Sequence, residues 1–377
     1  MEAKTRIIFS VAAILSYGMI AHAQRQTSLY IDDGTGHFTV LQATAAGGGG
    51  TITFPPGSGT VTFGGGGGGC TPPTGSLMTF GDNGPHAGYT YWGLSQTYGT
   101  NAWTTGSTLP VAQQEMTASA VNGKIYVIGG DNGTRNYNQI YDASSNTWST
   151  GAVLPVPQLF MTSSVVNGKI YVIGGALGSN NNNQIYDPAT DTWTTGAVLP
   201  VGEDGMASAV VNGKIYVIGG ALGNEKYNQI YDPTTDSWST GAPLPISQHD
   251  FSAAAINGKI YVFGGINFTQ NEVFIYDPST DSWTSGASMP VGQDDMAVVP
   301  FIGKIYVIGG GNGSNNNTQI YNPASNSWSA GPALPIGEFI DASAVVNDNI
   351  YVMGGNNNQS ANQVYTPGVT VYYFVAN

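Results

Sequence analysis

Basic residues, and charge in general, are scarce in this chain. Only 9% of its 377 residues are charged, and 10 Lys and Arg stand against 23 Asp and Glu, which gives a net charge of -13. Nucleic acids and anionic membrane surfaces repel so acidic a protein, so the composition argues against both as partners. Cations, sugars and basic protein surfaces stay compatible with it.

Cysteine and histidine are nearly absent. Cys70 is the only cysteine, which excludes an internal disulfide and leaves an inert thiol or an intermolecular bridge as its two options. Of the four histidines, only His249 lies within the repeats identified below. The sequence contains no zinc-ligand spacing, Ser-His-Asp arrangement or phosphate-binding loop. We therefore predict no catalytic residue, no metal and no cofactor.

Long apolar runs are also missing, except at the start of the chain. Lys4 and Arg6 precede an apolar run over 7–20, and Ala21-His22-Ala23 has the small-x-small pattern of a cleavage site. This run is shorter than the ~20 residues that span a bilayer. Residues 1–23 are thus predicted to be a signal peptide cleaved after Ala23, and the mature protein to be secreted, periplasmic or cell-surface, with no membrane span.

Residues 24–75 have a different composition from the rest. Runs of glycine occupy 47–50 and 64–69, and such runs bury too little surface to offset their backbone entropy. Between the signal and these runs, 28–41 alternates as a short β hairpin would. We interpret 24–75 as a Gly/Pro-rich linker with one small β element, acting as a tether or as a plain spacer.

From residue 103 onward the chain repeats every 45 residues. Glycine pairs occur at 129–130, 174–175, 219–220, 264–265, 309–310 and 354–355. Tryptophans follow the same step at Trp103, Trp148, Trp193, Trp238, Trp283 and Trp328. A fixed period of this length indicates a solenoid or a propeller, and the strand content decides between them.

The unit from Met206 to Gly241 shows what each repeat contains. MASAVV and KIYVIGG read as two strands joined by an Asn-Gly hairpin turn, and NQIYDP and SWSTG read as a third and a fourth strand. Both alternating faces of IYVI are apolar, so this strand is covered on both sides. Four-stranded units of this kind, arranged around an axis, predict an all-β propeller over 76–377.

The same residues resemble the kelch repeat. KIYVIGG is followed by YDP and then by Trp, and this order recurs in six units. The resemblance implies that the glycine pair ends the second strand and that the Tyr and Trp pack between blades. Glycine, which lacks a Cβ, allows the close approach that such packing needs.

The number of blades depends on which segment forms the fourth strand of the last unit. The segment around Trp103 precedes the first complete unit, whereas VTVYYFV at 369–375 follows the last one. Six blades, closed by pairing of the two chain ends, are predicted. Seven blades, with 76–105 as a degenerate blade, are the alternative.

Six loops that lead from each Trp strand into the next unit carry the candidate binding residues. Three residues after a Pro, where kelch repeats usually have Arg, these loops have Gln113, Gln158, Glu203, Gln248, Gln293 and Glu338. The two following positions add Glu115, Asp204, His249, Asp250, Asp294 and Asp295. Two interpretations stay open for the first set: side chains that satisfy backbone groups between blades, or a ring that binds a cation, a basic peptide or sugar hydroxyls.

These features predict an interaction scaffold more than an enzyme. We expect a monomeric propeller that binds a protein or carbohydrate through loops at one face. Galactose oxidase, an enzyme with kelch repeats, holds copper with Tyr and His, for which this chain has too few histidines. A sugar mutarotase or epimerase on a kelch propeller, or a purely structural surface protein, are the alternatives. Arg135 is the only Arg in the repeats, which counts against an anionic sugar as substrate.

Overall fold

A computed structural model of the chain describes most of the repeat region and short parts of what precedes it. The described residues are 6–10, 26–32, 38–44, 51–53, 60–62 and 91–376, without 132–134, 178–179, 222–225, 267–269, 312–315, 338, 340–341 and 356–359. Side chains are described from 99 to 368 within these ranges. Cys70, Glu338 and most of the predicted signal peptide therefore lie outside the described residues.

The chain divides into two compact units. One comprises Met1–Thr100 and Gly368–Asn377, and the other Asn101–Pro367. The strands of the first unit are β1 (Arg6–Ser10), β2 (Gln26–Asp32), β3 (Phe38–Thr44), β4 (Thr51–Thr53), β5 (Thr60–Thr62), β6 (Tyr91–Tyr98) and β31 (Val369–Ala376). Strands β2 and β3 form an antiparallel pair over the segment whose alternation predicts a hairpin, and β1 runs parallel to β2.

The second unit consists of six four-stranded antiparallel sheets, here blades 1 to 6. Blade 1 contains β8 (Met116–Val121), β9 (Lys124–Gly129), β10 (Asn138–Asp142) and β11 (Thr147–Thr150). Blade 2 contains β12 (Thr162–Val166), β13 (Lys169–Ile173), β14 (Asn183–Asp187) and β15 (Thr192–Thr195). Blade 3 contains β16 (Ala207–Val211), β17 (Lys214–Ile218), β18 (Asn228–Asp232) and β19 (Ser237–Thr240).

The remaining blades follow the same order. Blade 4 contains β20 (Ser252–Ile256), β21 (Lys259–Phe263), β22 (Val273–Asp277) and β23 (Ser282–Ser285). Blade 5 contains β24 (Ala297–Phe301), β25 (Lys304–Ile308), β26 (Thr318–Asn322) and β27 (Ser327–Ala330). Blade 6 contains β28 (Ala342–Val346), β29 (Asn349–Met353), β30 (Asn362–Thr366) and, from the other end of the repeats, β7 (Ala102–Thr105).

Local sequence explains the strands and turns within each blade. In blade 3 the hairpin turn lies at Asn212 (φ 51°) and Gly213 (φ 75°), so both central residues have the positive φ that an Asn-Gly turn supplies. The second strand of the blade is covered on both faces, since Ile215, Val217 and Ile218 have no exposed surface. Among the described residues there are only strands and turns, and no helix that could span a membrane is found there.

The ring closes with six blades, as predicted. Strand β7 pairs antiparallel with β30, with Trp103 opposite Tyr365, and the first strand of blade 6 contacts that of blade 1. The seven-blade alternative is wrong, because the Trp103 segment is already the fourth strand of blade 6. The segment 369–375 does not take that position either: β31 pairs with β6.

Neighbouring blades are joined by a latch of three side chains. In blade 3, Trp238 packs on Tyr231 at 5.0 Å between ring centroids, and its indole N–H donates to the carbonyl of Ala197 in the preceding connection at 2.8 Å. Asp236 Oδ1 accepts the Ala197 N–H and the Tyr231 hydroxyl, each at 2.6 Å. The indole bond recurs at Trp103, Trp148, Trp193, Trp283 and Trp328.

We predict that Trp238→Ala lowers the free energy of unfolding by about 3 kcal/mol, because it leaves a gap beside Tyr231 and removes one bond between blades. Trp238→Phe keeps most of the ring contact and loses the N–H, so it should cost about 1 kcal/mol. Denaturant unfolding of both variants measures the difference. A loss below about 1 kcal/mol for the alanine variant would show that the latch does not stabilise the ring.

The latch carboxylates predict a dependence of stability on pH. Hydrogen bonds from the peptide N–H and the tyrosine hydroxyl lower the pKa of Asp191, Asp236 and Asp281. A carboxyl group whose pKa is lower in the folded state stabilises the fold above its unfolded pKa of about 4, and this contribution is lost as the pH falls through the folded pKa.

Three blades provide an internal control, because Asn101, Asn146 and Asn326 accept the same hydroxyl bond without titrating. The triple variant D191N/D236N/D281N can keep the hydroxyl bonds but loses the carboxylate contribution, so it should be less stable than the wild type near neutral pH and should lose less stability as the pH falls through the folded pKa of these groups. Denaturant unfolding at several pH values, followed by circular dichroism, measures this. An equal loss of stability on acidification in the two proteins would contradict the prediction.

Candidate ligand-binding site at the channel mouth

The loops that precede the inner strands meet around one opening of the central channel, here called the mouth. In the loops into blades 2 to 5, the peptide N–H at one position donates to the carbonyl of the same position one blade earlier, at 3.0–3.3 Å. The five described residues of this belt, all with φ between 44° and 61°, are Glu115, Phe160, Gly205, Asp250 and Asp295. The sixth, Ile340, lies outside the described residues. Four of the five are not glycine, so the belt keeps their backbones in a conformation that most residues avoid.

The side chains two residues before the belt are buried inside the propeller. Its described side chains, Gln113, Gln158, Glu203, Gln248 and Gln293, have no exposed surface. Gln158 donates to the Leu177 carbonyl at 2.8 Å and accepts from the Leu177 N–H at 3.1 Å, and so binds the loop that follows the glycine pair of its blade. The Gln113 side chain donates to the carbonyl of Gly129 at 2.7 Å, and Gln293 donates to that of Gly309.

The glycine pairs make room for these buried side chains. A Cβ on Gly175 (φ +110°) would lie 2.5 Å from the Gln158 amide oxygen, and one on Gly220 (φ +124°) would lie 2.6 Å from a carboxylate oxygen of Glu203. Of the two interpretations that the sequence leaves open, the geometry favours the structural one for Gln113, Gln158 and Gln293, which bond backbone groups. The buried side-chain amide of Gln248 has no hydrogen-bond partner in the structure. Glu338, the sixth, lies outside the described residues.

Of the predicted residues that follow, five gather on one side of the mouth; Asp294 is buried, and the other four are partly accessible. Asp204, His249, Asp250, Asp294 and Asp295 come from the loops that lead into blades 3, 4 and 5. His249 Nδ1 lies 2.8 Å from Asp250 Oδ2, and the Gln270 side chain donates to Asp294 at 3.1 Å. The structure thus brings together residues that are 45 positions apart in sequence.

Burial and mutual repulsion act on these carboxyl groups. Burial raises the pKa of Asp204, the negative charge of Asp250 raises it further, and His249 opposes both. Burial also raises the pKa of Asp294; backbone N–H bonds lower it, and the charge of Asp250 again raises it. Asp250 therefore repels acids on both neighbouring loops, and a cation bound there would relieve that repulsion.

The side of the mouth formed by the loop into blade 2 is apolar. Phe160 is 37% exposed, and the neighbouring Leu159 is buried. Glu115, on the loop into blade 1, has a pKa raised by burial and by Asp131, with Arg135 acting in the opposite direction. Sequence reasoning missed Phe160 because it ranked the loops by acids, although LPVPQLF is the one loop without charge among those into blades 1 to 5.

Below the mouth the channel is narrow and uncharged. A cavity of about 160 Å³ has no charged residue in its lining, which includes Ala118, Ser208, Ala253, Val298 and Ser343. Hydroxyls from adjacent blades bond to each other there, at 2.6 Å between Thr117 and Ser163 and 2.6 Å between Thr162 and Ser208. Among the described residues, no group of His, Cys, Asp and Glu is arranged to hold a metal.

Comparison with known proteins identifies the family. The family of the KLHDC2/KLHL20/DRC7 Kelch-repeats domain matches residues 79–265 and 205–369. The chain belongs to the kelch-repeat family. A solved structure of YjhT resembles this kelch protein with a TM-score of 0.59 and 20% sequence identity, over 68% of this chain and 94% of that one, which shows a shared fold. No match was found among curated proteins.

We predict that Gln158→Met costs about 2 kcal/mol of stability, since methionine fills the space but leaves both backbone groups of Leu177 without their partner. Glu203→Gln is the control: it installs the residue that the other described positions hold, and should change stability by less than about 1 kcal/mol. Denaturant unfolding measures both. Equal losses would contradict the structural role of Gln158.

Proposed function

We propose that this kelch protein is an exported interaction scaffold that binds a basic, partly apolar protein segment at the mouth. The observation that carries the proposal is the position of Asp250 between Asp204 and Asp294, on three consecutive loops around one opening. Kelch propellers generally bind protein partners, and this arrangement gives such a partner a defined charge.

Charge complementarity supports a basic partner. The loops into blades 3, 4 and 5 carry acids and no Lys or Arg, and the whole chain has a net charge of -13. Fields from neighbouring carboxylates add at a concave opening with low-dielectric walls, so they attract a cation and speed its encounter. Burial of Lys or Arg against Asp250 would replace like-charge repulsion with attraction.

The apolar side of the mouth supports a partner with apolar residues as well. Phe160, one blade from the acidic side, exposes more than a third of its surface, and its carbonyl accepts the Gly205 N–H of the next loop. Aromatic side chains of this kind anchor protein interfaces when they become buried. A segment that alternates basic and apolar side chains would use both sides.

The proposal also covers the cellular location and the oligomeric state of the protein. The basic start, apolar run and small-x-small pattern of residues 1–23 support export to a secreted, periplasmic or cell-surface location. The acidic surface and closed ring support a monomeric propeller, with residues 24–75 as its tether.

A glycan is the second candidate ligand, because Ser208 and other hydroxyls line the channel below the mouth, and Ser163 is bonded to one of them, Thr117. Its recognition would depend on neutral hydrogen bonds and would respond little to salt, whereas that of a basic segment falls as salt rises.

We predict that D204N/D250N/D294N weakens binding of a labelled peptide of alternating Lys and Phe by at least about tenfold, which is about 1.4 kcal/mol, and flattens its salt dependence. Fluorescence anisotropy at two salt concentrations measures both effects. Asp187, Asp232 and Asp277, on the turns between third and fourth strands at the opposite end of the blades, allow a matched control. The triple Asn variant there makes the same charge change and should bind like the wild type.

Equal loss of affinity in both triple variants would mean that only net charge attracts the peptide and would sink the proposed site. Binding of a neutral oligosaccharide, unchanged by salt and lost in S163A/S208A, would favour the glycan instead.

A further inference from the structure

A second cleft, separate from the mouth, lies against blade 5. It has a volume of about 300 Å³ and is bounded by the connection into blade 5, the start of β26 and the end of β27. Val291, Trp328 and Ala333 form much of an apolar wall, and Thr318 and Gln319 add polar atoms. None of its lining residues is charged.

Comparison of the repeats shows why the cleft exists. At the position of Thr318, blades 1 to 3 have Asn138, Asn183 and Asn228, whose side chains donate at 3.2–3.3 Å to the carbonyl 14 residues later. Thr318 is too short to make this bond. Its counterpart carbonyl, Pro332, accepts only the Trp103 indole among the bonds described.

A second replacement widens the same region. Ala333 occupies the position at which blades 1 and 2 have Val153 and Val198, both more than half exposed. Blade 4 also has short side chains at these positions, Val273 and Ser288, whereas blades 1 and 2 have larger ones at both, so blade 5 has more open space there than blades 1 and 2.

The hydroxyl of Thr318, beside the cleft, makes no hydrogen bond. Thr318 is only 3% exposed, and its Oγ1 has no hydrogen-bond partner in the structure. A buried hydroxyl without a partner is unfavourable. Because Oγ1 has almost no accessible surface, a ligand in the cleft reaches it when the Thr318 side chain turns toward the cleft, and the bond formed then replaces no other. The neighbouring amide of Gln319 is already bonded to both backbone groups of Val291.

Size and charge restrict the ligand. A volume of about 300 Å³ is at the lower end for small-molecule sites, which suits a single ring. Because the wall carries no charge, an ionised ligand would lose its hydration without gaining a counter-ion. The indole of Trp328 favours a flat, largely apolar face.

We propose that the cleft on blade 5 binds a small neutral ring compound whose hydroxyl group hydrogen-bonds to Thr318. This site is independent of the mouth and of the function proposed for it. Phenol is the simplest compound with these properties and serves as the probe.

The test follows the indole N–H signals of the ¹⁵N-labelled full chain by NMR during titration with phenol. The Trp328 signal, assigned from Trp328→Phe, should shift to saturation while the Trp148 and Trp238 signals stay in place. Thr318→Val removes the hydroxyl with little change in shape, and should weaken phenol about fivefold while leaving toluene unaffected.

Thr318→Asn provides the second variant, since it installs the residue of blades 1 to 3 and fills the cleft. It should keep or raise the unfolding midpoint and weaken phenol by at least about tenfold. Thr280→Val, on an exposed turn, is the control and should bind like the wild type. No saturable shift at Trp328, or equal affinity in the Thr318→Asn variant, would overturn the proposal.

Discussion

The latch between neighbouring blades is the interaction on which the propeller depends. A single four-stranded blade has two broad faces and too few residues to cover either of them, so each must be buried against another blade. The indole of Trp238, the ring of Tyr231 and the carboxylate of Asp236 meet the connection from the blade before, where they satisfy both the N–H and the carbonyl of Ala197. With six repeats, the last contact returns to the first, and Trp103 donates to Pro332 across the closure.

Closure of the ring places the first and the last strand of the repeat region in one blade. It also brings the loops before the inner strands close together around the channel. The belt of N–H to carbonyl bonds through Phe160, Gly205, Asp250 and Asp295 joins loops from successive blades. Directly behind it, buried residues such as Gln158 bind the loops after the glycine pairs. The most regular positions of each repeat thus hold the blades together, and the proposed recognition site uses positions that vary.

Both proposed binding sites therefore lie where near-identical repeats differ. Acids on three consecutive loops and the exposed Phe160 on another divide the mouth into an acidic and an apolar side. Thr318 and Ala333 are smaller than their counterparts in blades 1 and 2 and border the cleft on blade 5. In both places a symmetric frame fixes where a side chain lies, and a local substitution decides what it offers to a ligand.

Local signals were enough to predict the repeats, the four strands of each blade and the Asn-Gly turns, because strand periodicity and turn geometry depend on adjacent residues. They also predicted a ring of six, since the period counts the units. The choice between Trp103 and the segment 369–375 as the closing strand depended on pairing across more than 250 residues, and no local pattern describes that.

The candidate site also has features that the sequence predicted and features that only the tertiary structure decided. Sequence determined which residues the mouth loops contain, but whether Gln158 or Glu203 faces solvent depended on how a side chain packs against a glycine pair. The repulsion centred on Asp250, the exposure of Phe160 and the unpartnered hydroxyl of Thr318 arise from atoms of separate loops and strands. Such features exist only once the ring has brought those atoms together, so tertiary structure alone decided them.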